Sequence, residues 1–165
     1  GDYWWELRPC DYYHEFEKEK IVWQRITQRF SFSLVPKGLY ALDSTAFMTN
    51  ANKFLVGVLN SKLVDFYVRT YVHQLGDKGF LLSNQYVERI PVPPITKENK
   101  KLVEKIEDLV DQILELKKQG KPINEKRIGE LYTEIDNIIY QLYNLTEEEK
   151  KIINEKITKK MIKEL

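Results

Sequence analysis

The sequence predicts an α+β fold: a β-rich part with a packed helix, followed by a C-terminal antiparallel helical hairpin. Three observations carry this. Residues 1–95 hold short runs of aromatic and β-branched residues, the composition of half-buried strands. Residues 96–165 change to apolar residues spaced alternately three and four apart, the period of packed helices. Between the two stands Pro91-Val92-Pro93-Pro94, and prolines neither donate into a strand ladder nor continue a helix.

In chain order, residues 21–27 read as a strand, and residues 30–34 as a second because apolar and polar side chains alternate there. Pro36-Lys37-Gly38 is turn material. Residues 39–42 and 45–48 are short and strand-like. Asn52 suits a helix N-cap, and Leu55, Val58, Leu59, Leu63, Phe66 and Tyr67 fall at helical spacings, which predicts a helix over residues 52–71. Asn60-Ser61-Lys62 interrupts that pattern and fits a kink, a phosphate contact or an exposed turn. Asp77-Lys78-Gly79 signals a turn, and residues 80–82 and 86–90 resume strand character. Trp4, Trp5 and Trp23 fit core or interface packing better than stacking on bases, and Tyr40, Phe47, Phe66 and Tyr67 are core candidates on the same ground.

In the second part, Leu102, Ile106, Leu109, Ile113 and Leu116 form one apolar seam. Ile128, Leu131, Ile135, Ile138, Leu142 and Leu145 form another. Gln119-Gly120-Lys121-Pro122 joins them as a hairpin. Thr146 and Glu149 make a capping box for a third helix carrying Ile153, Ile157 and Met161.

Several functions are disfavoured by what is missing. No apolar run reaches the length of a membrane span, and no signal pattern opens the chain. A single cysteine, Cys10, cannot form an internal disulfide, so the expected setting is cytoplasmic. The chain starts at Gly1 without a methionine and reads as part of a longer polypeptide. The glycines fit neither phosphate-binding pattern. His14 and His73 lack metal-ligand spacing, and a Cys10–His14 nucleophile pair is outweighed by incidental roles. Glu98-Asn99-Lys100 and Glu115-Leu116-Lys117 match the triplet of a metal-dependent nuclease but fall on a predicted helix. Pro93-Pro94 follows Val92, which has no polar atom to hold the amino group of a flipped adenine. Neither catalytic nor metal residues are expected, nor a cofactor in this chain.

The formal net charge of +1 hides a pattern. Between residues 20 and 62, Lys20, Arg25, Arg29, Lys37, Lys53 and Lys62 meet only Asp43 as an acid. A nucleic-acid footprint and ordinary solvated surface both fit this stretch.

Several blocks occur in an order that resembles a known family. They are Trp5-Glu6-Leu7-Arg8, Lys20-Ile21-Val22-Trp23-Gln24-Arg25-Ile26, and Leu55-Val56-Gly57-Val58-Leu59-Asn60-Ser61-Lys62-Leu63-Val64-Asp65-Phe66-Tyr67. Then come Tyr86-Val87-Glu88-Arg89-Ile90-Pro91-Val92-Pro93 and the stretch over residues 139–149. Together they resemble the TaqI-like C-terminal specificity domain of adenine-specific type II restriction–modification methyltransferases, and are similar to the specificity subunits of type I systems. The resemblance implies a target recognition domain over residues 1–95 and a helical spacer over 96–165. It implies double-stranded DNA and the catalytic methyltransferase domain of the same polypeptide as partners. S-adenosylmethionine would be held in that other domain, with or without a fused endonuclease. The stretch between Arg69 and Phe80 is short for the family, and the recognised sequence stays open.

Duplex recognition needs phosphate contacts for affinity and polar side chains at base edges for choice. The six basic residues above are the phosphate candidates. Gln28, Arg29, His73, Gln74, Asp77, Lys78, Asn84 and Gln85 are the base-reading candidates, since Arg or Lys suits guanine and Gln or Asn suits adenine. The alternative for each is a solvated loop side chain. The alternative function is a protein-interaction scaffold that binds a partner through the helical hairpin.

Overall fold

Residues 21–27 form two strands rather than one, in two different sheets. In the computed structural model, which describes residues 3–4, 11–122 and 124–163, β1 (Lys20–Gln24) is the centre of a three-stranded sheet. β3 (Phe32–Val35) and β4 (Thr45–Met48) flank it antiparallel, with Ile21 opposite both Leu34 and Met48. β2 (Ile26–Thr27) joins a second sheet in the order β2-β6-β5, with β5 (His73–Gln74) and β6 (Phe80–Leu81). Arg25 is the pivot. Its N–H donates to the Ser44 carbonyl, just before β4 of the first sheet, at 2.9 Å, and its carbonyl accepts from the Leu82 N–H beside the second at 2.7 Å. The buried Trp23 indole donates to the Leu82 carbonyl at 2.9 Å and locks the same corner. Trp5, Cys10 and the Trp5-Glu6-Leu7-Arg8 block lie outside the described residues, as do the side chains of Lys78 and Met161.

The helix expected over residues 52–71 is divided into α1 (Lys53–Leu59) and α2 (Lys62–Val68). Asn52 caps the first, accepting from the Leu55 N–H at 2.7 Å. The interruption at Asn60-Ser61-Lys62 is a kink, and its polar atoms are spent on structure. The Asn60 carboxamide accepts from the Phe32 N–H at 3.0 Å and donates to the Phe32 carbonyl at 2.8 Å. It thus closes that part of the β3 edge as a neighbouring strand would. Ser61 Oγ accepts from the Val64 N–H at 3.2 Å and caps α2.

Three expectations need correction. Residues 39–42 are loop, with Leu39, Tyr40 and Leu42 exposed; they have no strand partner to bury one face. Tyr40 is therefore not core: its ring stacks on Phe16 at 4.9 Å and its hydroxyl donates to Glu17. Residues 86–90 are not a strand. α3 (Asn84–Val87) occupies this region, and the buried Val87 and Ile90 are three apart, a helical spacing.

α4 (Lys100–Lys118) and α5 (Asn124–Leu142) follow the two seams, and Leu109, Ile113, Ile135 and Ile138 are buried. α6 (Glu147–Lys163) starts at the expected capping box: the Thr146 N–H donates to Glu149 Oε2 at 2.8 Å and Glu149 N–H to Thr146 Oγ1 at 3.3 Å. The helices are packed directly on the β-rich part. α1 lies on α4 at Gly57, where a Cβ would come 2.5 Å from the buried Ile106 side chain, and α2 lies on α6. One hydrophobic core runs from Ile21 to Ile139 across the change of element type near residue 95.

Asp136 ties the layers together. Its carboxylate is buried on α5, accepts from the Lys62 N–H at the start of α2 at 2.8 Å, and lies 3.6 Å from Lys62 Nζ. Burial pushes its pKa up, against the hydrogen bonds and charge of Lys62 that pull it down. With the folded-state value above the ordinary 3.8, the stability this group contributes is full below that value. It is lost as pH rises through the raised value. Asp136→Asn keeps an acceptor and does not titrate, so the variant should gain on the wild type from acid to neutral pH. Asp136→Ala strands the Lys62 N–H and should cost about 1–3 kcal/mol. Urea unfolding across pH checks both. A wild type that gains on the Asn variant as pH rises contradicts this assignment.

Candidate nucleic-acid interface

β5 and β6 form a hairpin closed by a 3-10 turn over Gly76–Lys78. The Leu75 N–H donates to the Gly79 carbonyl at 2.7 Å. Gly79 has φ +101° and ψ −133°, and a Cβ there would strike the Thr27 backbone carbonyl. The absence of a side chain therefore lets β2 run against the turn. A second connection comes from Gln28, whose Nε2 donates to the Asp77 carbonyl at 3.3 Å. Thr27 Oγ1, which donates to the Arg29 carbonyl at 2.6 Å and accepts from the Arg29 N–H at 3.2 Å, shapes the exit from β2. Gln28, Arg29, His73, Gln74 and Asp77, five of the base-reading candidates, thus meet on one exposed tip.

Asn84 and Gln85 lie nearby. Ile26, Leu81 and His73 are opposite one another in the second sheet, so their side chains share a face. Leu81 also lines an open groove of about 1010 Å³ with Arg25, Asn84 and Gln85, between β4 and α3. The groove thus adjoins the Ile26–Leu81–His73 face, while Gln74, next along β5, lies on the other face of the second sheet with Thr27 and Phe80.

Its electrostatics are uneven. The Arg25 guanidinium is 3.3 Å from both the Asp43 carboxylate and the Asp43 carbonyl. Asp43 is fully exposed, so this ion pair is weak and easily exchanged for another anion. On the groove's other wall, hydrogen bonds from Lys18 and Thr49 hold the Glu15 pKa down to about 2. Glu15 thus stays ionised at neutral pH, with Lys18 Nζ 2.6 Å from its carboxylate.

The six basic residues do not converge. Lys20 is buried, with Nζ donating to the Phe16 carbonyl at 2.9 Å and the Pro36 carbonyl at 3.5 Å. Lys53 pairs with Asp111 of α4 at 2.6 Å. Lys62 faces Asp136 and Asn154, on α5 and α6. Lys37 is exposed just after β3, whose Val35 opposes Lys20, so it lies at the far end of β1 from Arg25, roughly 17 Å away by strand rise. Arg25 and Arg29 alone among the six belong to the tip and groove surface. A run of like charges in sequence says nothing of direction, and these six come from six different local structures.

Sequence reasoning missed Arg69. Its guanidinium lies 4.9 Å from the ring centres of both Phe30 and Phe80, and its Nε donates to Asp65 Oδ1 at 2.8 Å. The four-residue spacing to Asp65 on a predicted helix was the available signal.

The family model of the TaqI-like C-terminal specificity domain matches residues 3–92. The chain belongs to this family. The match spans both sheets and α1 to α3, and so contains the tip and groove of this specificity domain; α4, α5 and α6 follow it. Among curated proteins the specificity domain has no match.

Proposed function

We propose that this specificity domain reads the base sequence of double-stranded DNA for a restriction–modification adenine methyltransferase of which it is part. The observation that carries the reading is the convergence of five polar candidates on the β5–β6 tip, joined through Leu81 to the Arg25, Asn84 and Gln85 groove. The DNA major groove, about 12 Å wide, admits a two-stranded β-ribbon, and this hairpin carries the exposed His73 and Gln74 on β5 and the exposed Asp77 in its turn. Arg25 and Arg29 flank it as the groups for phosphate or guanine.

The chain's part is recognition, and methyl transfer falls to the catalytic domain of the same polypeptide in the cytoplasm. S-adenosylmethionine would bind in that domain. The residues here do not fit it: the turn from β4 into α1 has no glycine, while Gly57 and Gly79 are taken up by Ile106 and Thr27. The scaffold reading is weaker, because the seams of the hairpin are already buried against each other and against α1. No helix among the described residues is long and apolar enough to cross a membrane.

Selection from a pool of random duplexes by the full-length protein tests the proposal. One short sequence should be enriched. A pool bound without preference would overturn the reading.

A further inference from the structure

We propose that Arg69 is a positioning residue that fixes the reading tip relative to the helices, through α2 acting as a strut. The inference rests on the tip being the reading surface. One end of α2 is held at the helical layer, where the Lys62 N–H donates to the buried Asp136. The other end finishes at Arg69, whose guanidinium reaches the tip from beneath. Its Nη2 donates to the Gln28 carbonyl at 3.4 Å, and its Cζ lies 4.9 Å from the ring centres of both Phe30, next after Arg29, and Phe80, two rings that touch each other at 5.4 Å; Phe80 opposes Thr27 and Gln74 in the second sheet. The side chain is only 13% exposed and its Nε is fixed to Asp65 within α2. It is therefore placed to act on DNA through the Gln28–Arg29 backbone rather than by touching it.

Arginine suits this place for a physical reason. A guanidinium can lie against aromatic rings while its N–H groups donate in fixed directions, whereas a lysine ammonium is a point charge. Arg69→Lys should keep the attraction to Asp65 and to the rings but lose the directed bond to Gln28. The recognition effect then separates from the stability effect.

The test uses Arg69→Lys, Arg69→Met and Arg29→Ala in the full-length protein. The readouts are thermal unfolding and the ratio of affinity for the selected duplex over a scrambled one. Arg69→Lys should unfold near the wild-type temperature, yet its affinity ratio should fall about tenfold, the scale of one lost base contact. Affinity for the scrambled duplex should stay within about twofold of wild type. Arg69→Met should lower both the ratio and the unfolding temperature. A wild-type ratio in Arg69→Lys overturns the positioning role. If that occurs while Arg29→Ala shifts the preferred sequence, the tip still reads DNA and only the strut is wrong. If Arg29→Ala leaves the preference, the affinity and its salt dependence all unchanged, the reading surface itself is misplaced and the inference falls with it.

Discussion

Replacing Ile135 with alanine is expected to destabilise the protein by about 2–5 kcal/mol. Ile135 is 1% exposed on α5, and its Cγ2 faces Gly57 of α1 across the core that α4 also shares. The lost methylenes would leave a cavity that is hard to close, since Gly57 already lets α1 and α4 approach as near as the Ile106 side chain permits. Because one core joins the strands to the helices, the loss should appear in a single urea transition. That transition should move earlier when followed by tryptophan fluorescence, which includes Trp23 in the β-rich part, and by helical circular dichroism alike. A silent change, or two separated transitions, would mean that the helices do not support the sheets.

Gly79→Ala is expected to act on both stability and recognition. The backbone at φ +101° and ψ −133° lies in a region essentially reserved for glycine, at a cost of about 1–3 kcal/mol for another residue. The added Cβ also meets a backbone carbonyl, that of Thr27, which cannot rotate away as a side chain could. Relief requires β2 to separate from the turn, which would break the Gln28–Asp77 bond and splay the tip. Urea unfolding should show the loss, and the affinity ratio for selected over scrambled duplex should fall. Wild-type values for both would show that the turn tolerates a side chain and that β2 and the hairpin are not so closely joined.

The parts of the fold set by periodicity were legible in the sequence. The seams through Ile106 and Ile135, the Thr146–Glu149 box and the Asn52 cap depend on neighbours three or four residues away, and they stand where the pattern placed them. What depended on distant partners was not legible. The pivot at Arg25 exists because Ser44 and Leu82 claim opposite sides of its peptide groups, and nothing local distinguishes it from the strand on either side. Residues 86–90 carry β-branched and aromatic side chains, yet the chain there is the end of α3 and the turn after it, with Val87 and Ile90 buried three residues apart. The site divided in the same way. The loop residues from Gln28 to Asp77 gather at one tip because turns are solvent-facing in any fold. Lys20, Lys53 and Lys62 were drawn instead into bonds with Phe16, Asp111 and Asp136, at separations no local pattern encodes.

If the tip chooses the DNA sequence, duplex selection repeated with altered tips reads that choice directly. Arg29→Ala and Gln74→Ala should each change the preferred base at a defined position, with a loss of about 1–3 kcal/mol on the original site for a base contact. If Arg29 instead holds a phosphate, its loss should weaken all sequences alike and flatten the salt dependence of log affinity by about 0.9. Lys37→Ala, exposed at the far end of β1, should leave preference and salt dependence unchanged. The contradictory result is the reverse: tip variants that select the wild-type sequence with wild-type affinity while Lys37→Ala weakens binding.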